Sequence, residues 1–365
     1  MNRRTFLLGG LGTALATPLL GAVRREKFDA AAGVLAKAAA DGQISAAALC
    51  VRHGQEQFAR AFGAAPSPDA LFLLASITKT LTSAAVMTLV DQGKLRLDDP
   101  VMKFIPEFST GSRVKITLAH LLTHVSGLPD QLPENQALRR GHAKLAEFVE
   151  TVIRTPLLFD PGARYSYSSM GILLASEVAH RITATDIREF VDKAVFQPLE
   201  MKHSALGLGR FKPEDLVRNQ TDHAAPESGA GDPTAKEWDW NSPYWRALGA
   251  PWGTAHCSAP DVARFFTEFL HPTDRMMKPE TARLMVQNHN PEGFAPRGLG
   301  FAVGSKSGSS GCSEKTFGHS GSSGTLAWAD PATDTVCVVL TTLPGAAASP
   351  HPLRVSGDLV AKAVS

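Results

Sequence analysis

The stretch Leu74-Ala75-Ser76-Ile77-Thr78-Lys79-Thr80-Leu81 opens a long apolar segment that runs to about Gly93 and constrains this chain more than any other. Apolar side chains at Ile77, Leu81, Ala84 and Ala85, with Val86, Leu89 and Val90 beside them, recur at helical spacing and cover most of the cylinder. That pattern predicts a buried helix. Ser76 and Lys79 are three residues apart, so they share a face of its first turn, where a lysine nitrogen can reach a hydroxyl. A serine hydroxyl becomes a useful nucleophile only when a neighbouring base takes its proton, and backbone N–H groups at a helix start favour developing negative charge. The pattern alone is weak, because an N-cap serine with an unrelated lysine one turn on has the same letters. Ser112-Arg113-Val114-Lys115 repeats it ahead of a β-branched, charged run with no buried helix behind.

At 365 residues, with 44% hydrophobic and 20% charged, the chain can bury one large core or a core carrying an insertion. Thirty-seven Lys and Arg against 35 Asp and Glu give a formal charge of +2 without a basic block, which argues against a nucleic-acid partner. No repeat, Walker-type loop or Gly-x-Gly-x-x-Gly after a strand is present. Asn2-Arg3-Arg4-Thr5-Phe6-Leu7-Leu8 and the mild apolar run to about Val23 resemble a twin-arginine export signal, so residues 1–22 are expected to be a targeting segment and 23–365 the domain. Export to the periplasm or beyond follows, with membrane contact only through an uncleaved signal. Cys50, Cys257, Cys312 and Cys337 are expected to be small buried residues rather than bridges.

Residues 26–40 read as an amphipathic helix, and 44–52 and 55–62, joined at His53-Gly54, as a β-hairpin. Between about 95 and 290 the texture is short helices and Pro/Gly loops, which predicts a helical insertion. Strand-like runs return at 300–306, 315–318, 324–329 and 335–342, followed by a helix over 353–364. Strands at both ends and helices between predict one antiparallel sheet completed from both termini, an α/β (α+β) architecture.

Four motifs then occur in order: Ser76-Ile77-Thr78-Lys79, His120-Leu121-Leu122-Thr123-His124-Val125-Ser126-Gly127-Leu128, Pro161-Gly162-Ala163-Arg164-Tyr165-Ser166-Tyr167-Ser168-Ser169 and Gly318-His319-Ser320-Gly321. Their order and spacing resemble the β-lactamase-related serine hydrolases: class C β-lactamases, penicillin-binding D,D-peptidases, D-aminopeptidases and carboxylesterases. The resemblance covers about residue 28 to the C-terminus. It implies a β-lactamase/D,D-peptidase-like sheet flanked by terminal helices, with the second motif on the helical insertion, and no cofactor.

Carried over by motif, Ser76 would be the acylated nucleophile, with Lys79 and Tyr167 as its proton relay. In water a lysine titrates at about 10.4 and a tyrosine at about 10, so either must hold its proton less tightly to act as base near neutrality. Tyr165 lies two residues earlier, and Tyr167 is preferred on register alone. The oxyanion hole would be the backbone N–H groups of Ser76 and Ser322, with Ser169, His319 and Gly321 contacting substrate. Two departures stand out. Tyr167-Ser168-Ser169 replaces Tyr-x-Asn, exchanging an amide for a hydroxyl. His319 replaces the lysine of Lys-Thr-Gly, so a neutral imidazole stands where a permanent cation helps bind a carboxylate.

His120 and His124 have the spacing of a helical zinc pair, but no third ligand is apparent and no metal is expected. Trp238, Trp240, Trp245 and Trp252 crowd one Pro/Gly-rich stretch, either a packed cover or a pocket wall, with Trp240 and Trp245 as the wall candidates. The expectation is an exported hydrolase cleaving a small ester, amide or peptide through acyl-Ser76, with ester or amide favoured over β-lactam. Alternatives are a D-amino-acid peptidase or penicillin-binding activity and, in another class, a non-catalytic module binding cell-wall ligands.

Overall fold

The computed structural model describes residues 27–222 and 224–365; the proposed signal segment, residues 1–22, lies outside them. Helix α1 (Asp29–Ala40) leads into the hairpin β1 (Ala46–His53) and β2 (Glu56–Gly63), then β3 (Phe72–Leu73) and α2 (Thr78–Asp91). Short helices and turns follow, among them Leu118–Leu122, then α3 (Leu145–Arg154), α4 (Ser169–Thr183), β4 (Ser204–Leu206), β5 (Ala255–Cys257) and α5 (Ala259–Leu270). The chain closes with β6 (Ala302–Val303), β7 (Phe317–Gly321), β8 (Thr325–Asp330), β9 (Thr335–Thr341) and α6 (Pro352–Val364).

The main sheet runs β2-β1-β9-β8-β7-β6, antiparallel throughout, so the two ends of the chain do complete one sheet. Alternation decides its faces. Ala47, Leu49 and Val51 of β1, with Trp328 and Val339, pack under α1 and α6, while Ala46, Ala48 and Cys50, with Ala327 and Val338, face the larger core shared with α2, α4 and α5. Both faces are covered, which is why β1 and β9 read as near-continuous apolar runs. The terminal helices are also tied to each other, Ser356 Oγ donating to Ala31 O at 3.0 Å.

Three details differ from expectation. A second sheet, β3-β5-β4, joins the strand just before Ser76 to two strands of the largely helical middle; strands of two or three residues show no period in a sequence. The strand expected over 300–306 shrinks to Ala302–Val303, because Gly300 and Gly304 on either side adopt φ of +89° and +91°, outside the β region. Ser76 sits in a separate 3₁₀ turn, Ala75–Ile77, and α2 proper begins at Thr78. The four cysteines are unpaired; Cys50, Cys257 and Cys337 are buried and Cys312 half-buried.

Candidate active site

Ala75 turns the chain into α2 with φ +46°, a left-handed backbone that costs a non-glycine residue about 1 kcal/mol or more. Neighbouring strands hold that turn. Leu74 N–H donates to Ala255 O at 2.8 Å in β5, Ser323 Oγ to Leu73 O at 2.7 Å, and Thr325 Oγ1 to Leu74 O at 2.8 Å. The same β5 region grips α2: Ala255 N–H donates to Thr78 Oγ1 at 3.0 Å and Thr82 Oγ1 to Pro251 O at 2.7 Å. Lys79 is 1% exposed, and its Nζ donates to Ser76 Oγ and to Trp252 O, both at 3.0 Å. The amine is therefore fixed on the hydroxyl by a backbone carbonyl 173 residues away in sequence.

Tyr167 comes from the extended stretch before α4. Ser168 anchors it: Oγ accepts from Gly171 N–H at 2.9 Å as the N-cap of α4 and donates to Pro129 O at 2.9 Å, while its own N–H donates to His124 Nδ1 at 3.2 Å. The His124 ring stacks at a tilt on Tyr167, centroids 4.6 Å apart, so the second motif supports the third. Burial first, then the charges of Arg297 and Lys79, push the His124 imidazole well below its usual range and keep it neutral. Lys79 Nζ lies over the Tyr167 ring, 4.9 Å from its centroid. Tyr165 is engaged elsewhere, its phenol oxygen accepting from Arg297 Nη2 at 2.7 Å and Nε at 3.1 Å.

One cavity of about 190 Å³ brings together Ser76, Lys79, Tyr167, Ser169, Ser322, Trp240 and Trp245. Ser322 reaches it from the tight turn after β7, closed by Gly324 N–H donating to Gly321 O at 3.1 Å. Trp240 and Trp245 are 3% and 4% exposed, so they are packed cover and pocket wall at once. Trp238 is buried away from the cavity, and Trp252 joins its lining. Ser169 donates from both N–H (2.9 Å) and Oγ (2.6 Å) to Asp130 Oδ1. Its hydroxyl hydrogen is thus spent on a carboxylate that the sequence reading had not singled out and that itself lines the cavity.

Two expected contact residues stand elsewhere. His319 lines a neighbouring cavity, which meets the first at Tyr167, and burial together with Arg297 and Lys79 pushes its imidazole down to about 3. Gly321 lines a third space beyond Ser322. A Cβ at 321 would overlap the Leu74 carbonyl oxygen and the Thr325 hydroxyl, so this glycine lets β7 close onto the nucleophile turn. Nδ1 of His120 accepts from Thr117 N–H at 3.2 Å and Nδ1 of His124 is held by Ser168, so both histidines serve the local backbone. Among the described residues no group of three His, Cys, Asp or Glu side chains is placed to hold a metal ion.

A serine within reach of a lysine amine, a tyrosine beside both, and a backbone turn across the cavity are the parts of an acyl-transfer site. The family model described as Beta-lactamase matches residues 31–361, and the chain belongs to that family of serine hydrolases. Esterase EstB of Burkholderia gladioli is 34% identical over 181 residues, 44% of this chain and 46% of that protein; the match thus spans about half of the curated relative's length. Two solved structures share the fold. A penicillin-binding protein homologue from Caulobacter crescentus has a TM-score of 0.77 at 21% identity, covering 93% of this chain and 98% of its own. EstCE1, described as a hydrolase with promiscuous acyltransferase activity, has a TM-score of 0.76 at 20% identity over 94% of this chain and 99% of its own.

Proposed function

We propose that this protein cleaves a carboxylic ester or amide through an acyl-enzyme on Ser76, and that it does so as an exported hydrolase. The observation that carries the reading is the 3.0 Å contact from Lys79 Nζ to Ser76 Oγ, inside a cavity shared with Tyr167 and Ser322. Ser76 Oγ attacks the substrate carbonyl carbon and its proton passes to the Lys79–Tyr167 pair. The backbone N–H groups of Ser76 and Ser322 receive the oxyanion. Collapse expels the alcohol or amine with a proton from the pair, and water, activated by the same pair, releases the acid and restores Ser76.

Ester or amide turnover is favoured over β-lactam turnover. The Ser169 hydroxyl is committed to Asp130, leaving a carboxylate, an acceptor only, where an amide could donate to a substrate carbonyl. The neutral His319 supplies no cation at the strand motif. The EstB relative, named as an esterase, points the same way. The Asn2-Arg3-Arg4 leader supports export.

Labelling with a fluorophosphonate tests the mechanism. One adduct by intact mass, mapped to Ser76 and absent from Ser76→Ala, is expected. An inert Ser76 in folded protein would instead favour the binding-module reading.

A further inference from the structure

The space beyond Ser322 has a volume of about 610 Å³, against about 190 Å³ for the Ser76 cavity. Pockets that enclose a whole small-molecule ligand run to about 300–1,000 Å³, so the Ser76 cavity holds the reacting ester group and little more. The larger space adjoins it at Ser322, which lines both. Gly321, in the same wall, is packed on the nucleophile turn: a Cβ there would stand 3.2 Å from Ala75 Cβ. The remaining walls are Ala224, Ala225 and Pro226 from one loop, Pro344 and Ala346 ahead of α6, and Leu353 in its first turn. Several polar atoms of this lining are spent within the fold. Thr325 Oγ1 donates to Leu74 O at 2.8 Å, Ser320 O accepts from His319 Nδ1 at 2.8 Å, and Ser322 O accepts from Gly345 N–H at 2.9 Å. Among the described residues the lining has one charged side chain, the exposed Arg354, and includes neither Lys79 nor Tyr167.

In the acyl transfer proposed above, the departing oxygen takes a proton from the Lys79–Tyr167 pair as its bond to the carbonyl carbon breaks, so the alcohol faces that pair. The acyl chain leaves the tetrahedral carbon in another direction. The space past Ser322 is the apolar one that neither proton carrier lines. Resting on the acyl-Ser76 reading, we propose that the acyl chain of the substrate passes Ser322 and lies in this space, so that the enzyme selects esters joining a medium-length alkanoic or arylalkanoic acid to a small alcohol. Ala225, Ala346 and Leu353 set the room available to the chain. The Ser322 carbonyl, which could take an amide N–H on that chain, is held by Gly345 instead, so a plain hydrocarbon chain fits best.

The probes are the isomers methyl hexanoate and pentyl acetate, equal in composition and different only in which side of the ester carries the chain. Each buried CH₂ strengthens binding by about fourfold, so burying two of the added acyl methylenes is enough for an effect of about tenfold. Followed by pH-stat, wild-type kcat/KM should be at least about tenfold higher for methyl hexanoate. Ala346→Trp, at an exposed position, should fill the space and cut that ratio at least about threefold. If it does not fold, Ala225→Trp takes its place with the same expectation. Equal rates on the two isomers, a preference for pentyl acetate, or a ratio unchanged in the filled variant overturns the proposal. Calorimetric titration of Ser76→Ala protein with both esters separates the two readings. Ser76-dependent turnover without the chain preference removes only the acyl subsite. Methyl hexanoate bound at least about tenfold more tightly, with no Ser76-dependent turnover, removes only the acyl-enzyme, and neither turnover nor a binding preference removes both.

Discussion

Tyr165 and Tyr167 are two positions apart and have different neighbours. The Tyr165 oxygen is a ligand to Arg297, whereas the Tyr167 ring is in contact with His124 and has the Lys79 amine 4.9 Å from its centroid. Tyr167→Phe should therefore lower kcat on an ester by roughly a hundredfold or more, the range of a lost proton-transfer group, and Tyr165→Phe by less than about tenfold. Steady-state kinetics of the two variants decides it, and a more damaging Tyr165→Phe would reverse the assignment. Ser76, Lys79 and Tyr167 were legible because each lies inside a local motif. Asp130 and Arg297 were not: Asp130 meets Ser169 across 39 residues and Arg297 meets Tyr165 across 132, and neither is marked by its own surroundings in the chain. The strain at Ala75 was equally hidden, since it is imposed by β5 and β8 rather than by its local sequence.

Strand β7 presents its end to the nucleophile turn through Gly321, with Ser322 immediately beyond. In Gly321→Ala the new methyl would meet a backbone carbonyl and a hydroxyl already donating to it, neither free to swing aside. The end of β7 must move, carrying the Ser322 N–H with it. The expected result is a fall of about a hundredfold or more in kcat, the scale of a lost oxyanion donor, with a lowered melting temperature. Gly33→Ala in α1, where a Cβ meets nothing within 4 Å, is the control and should leave turnover unchanged. Wild-type kcat in Gly321→Ala would mean that the approach of β7 is not what aligns the site. The long strands of the main sheet and both terminal helices could be read from apolar alternation and helical period. The short sheet behind Ser76 could not, because its strands are defined by pairing partners up to 185 residues apart in sequence rather than by pattern.

The molecule buries three neutral histidines around this centre. His124 backs Tyr167, His319 lies on β7, and His256 lies in β5 behind the nucleophile turn with Nδ1 donating to Gly207 O at 2.9 Å. Burial is the largest cause in each case, lowering His256 to about 4, His319 to about 3 and His124 well below its usual range. Between the folded and unfolded values, the unfolded chain binds protons that the native state refuses, so stability rises with pH there. It is fully present above about pH 7 and is lost progressively as pH falls below 6.5 towards 4 and 3. His256 alone should account for a loss of about 2 kcal/mol between pH 7 and pH 5. Denaturant midpoints across that range should fall with acidity, less steeply in His256→Gln, and a flat profile would contradict the neutral burial of these rings.

At the same scale, the sheet completed from both termini carries Ser322 and His319, and the helical middle carries Tyr167 and the tryptophan wall. The site exists only where the two meet. Whether Ser76 is the acylated nucleophile of an esterase is decided by kcat/KM on a short-chain p-nitrophenyl ester and on a chromogenic cephalosporin, for wild type and Ser76→Ala. Ester turnover that Ser76→Ala lowers by about a thousandfold or more, with the cephalosporin at least about a hundredfold poorer in the wild type, is predicted. Equal ester turnover in the two proteins, or efficient cephalosporin hydrolysis, would contradict it.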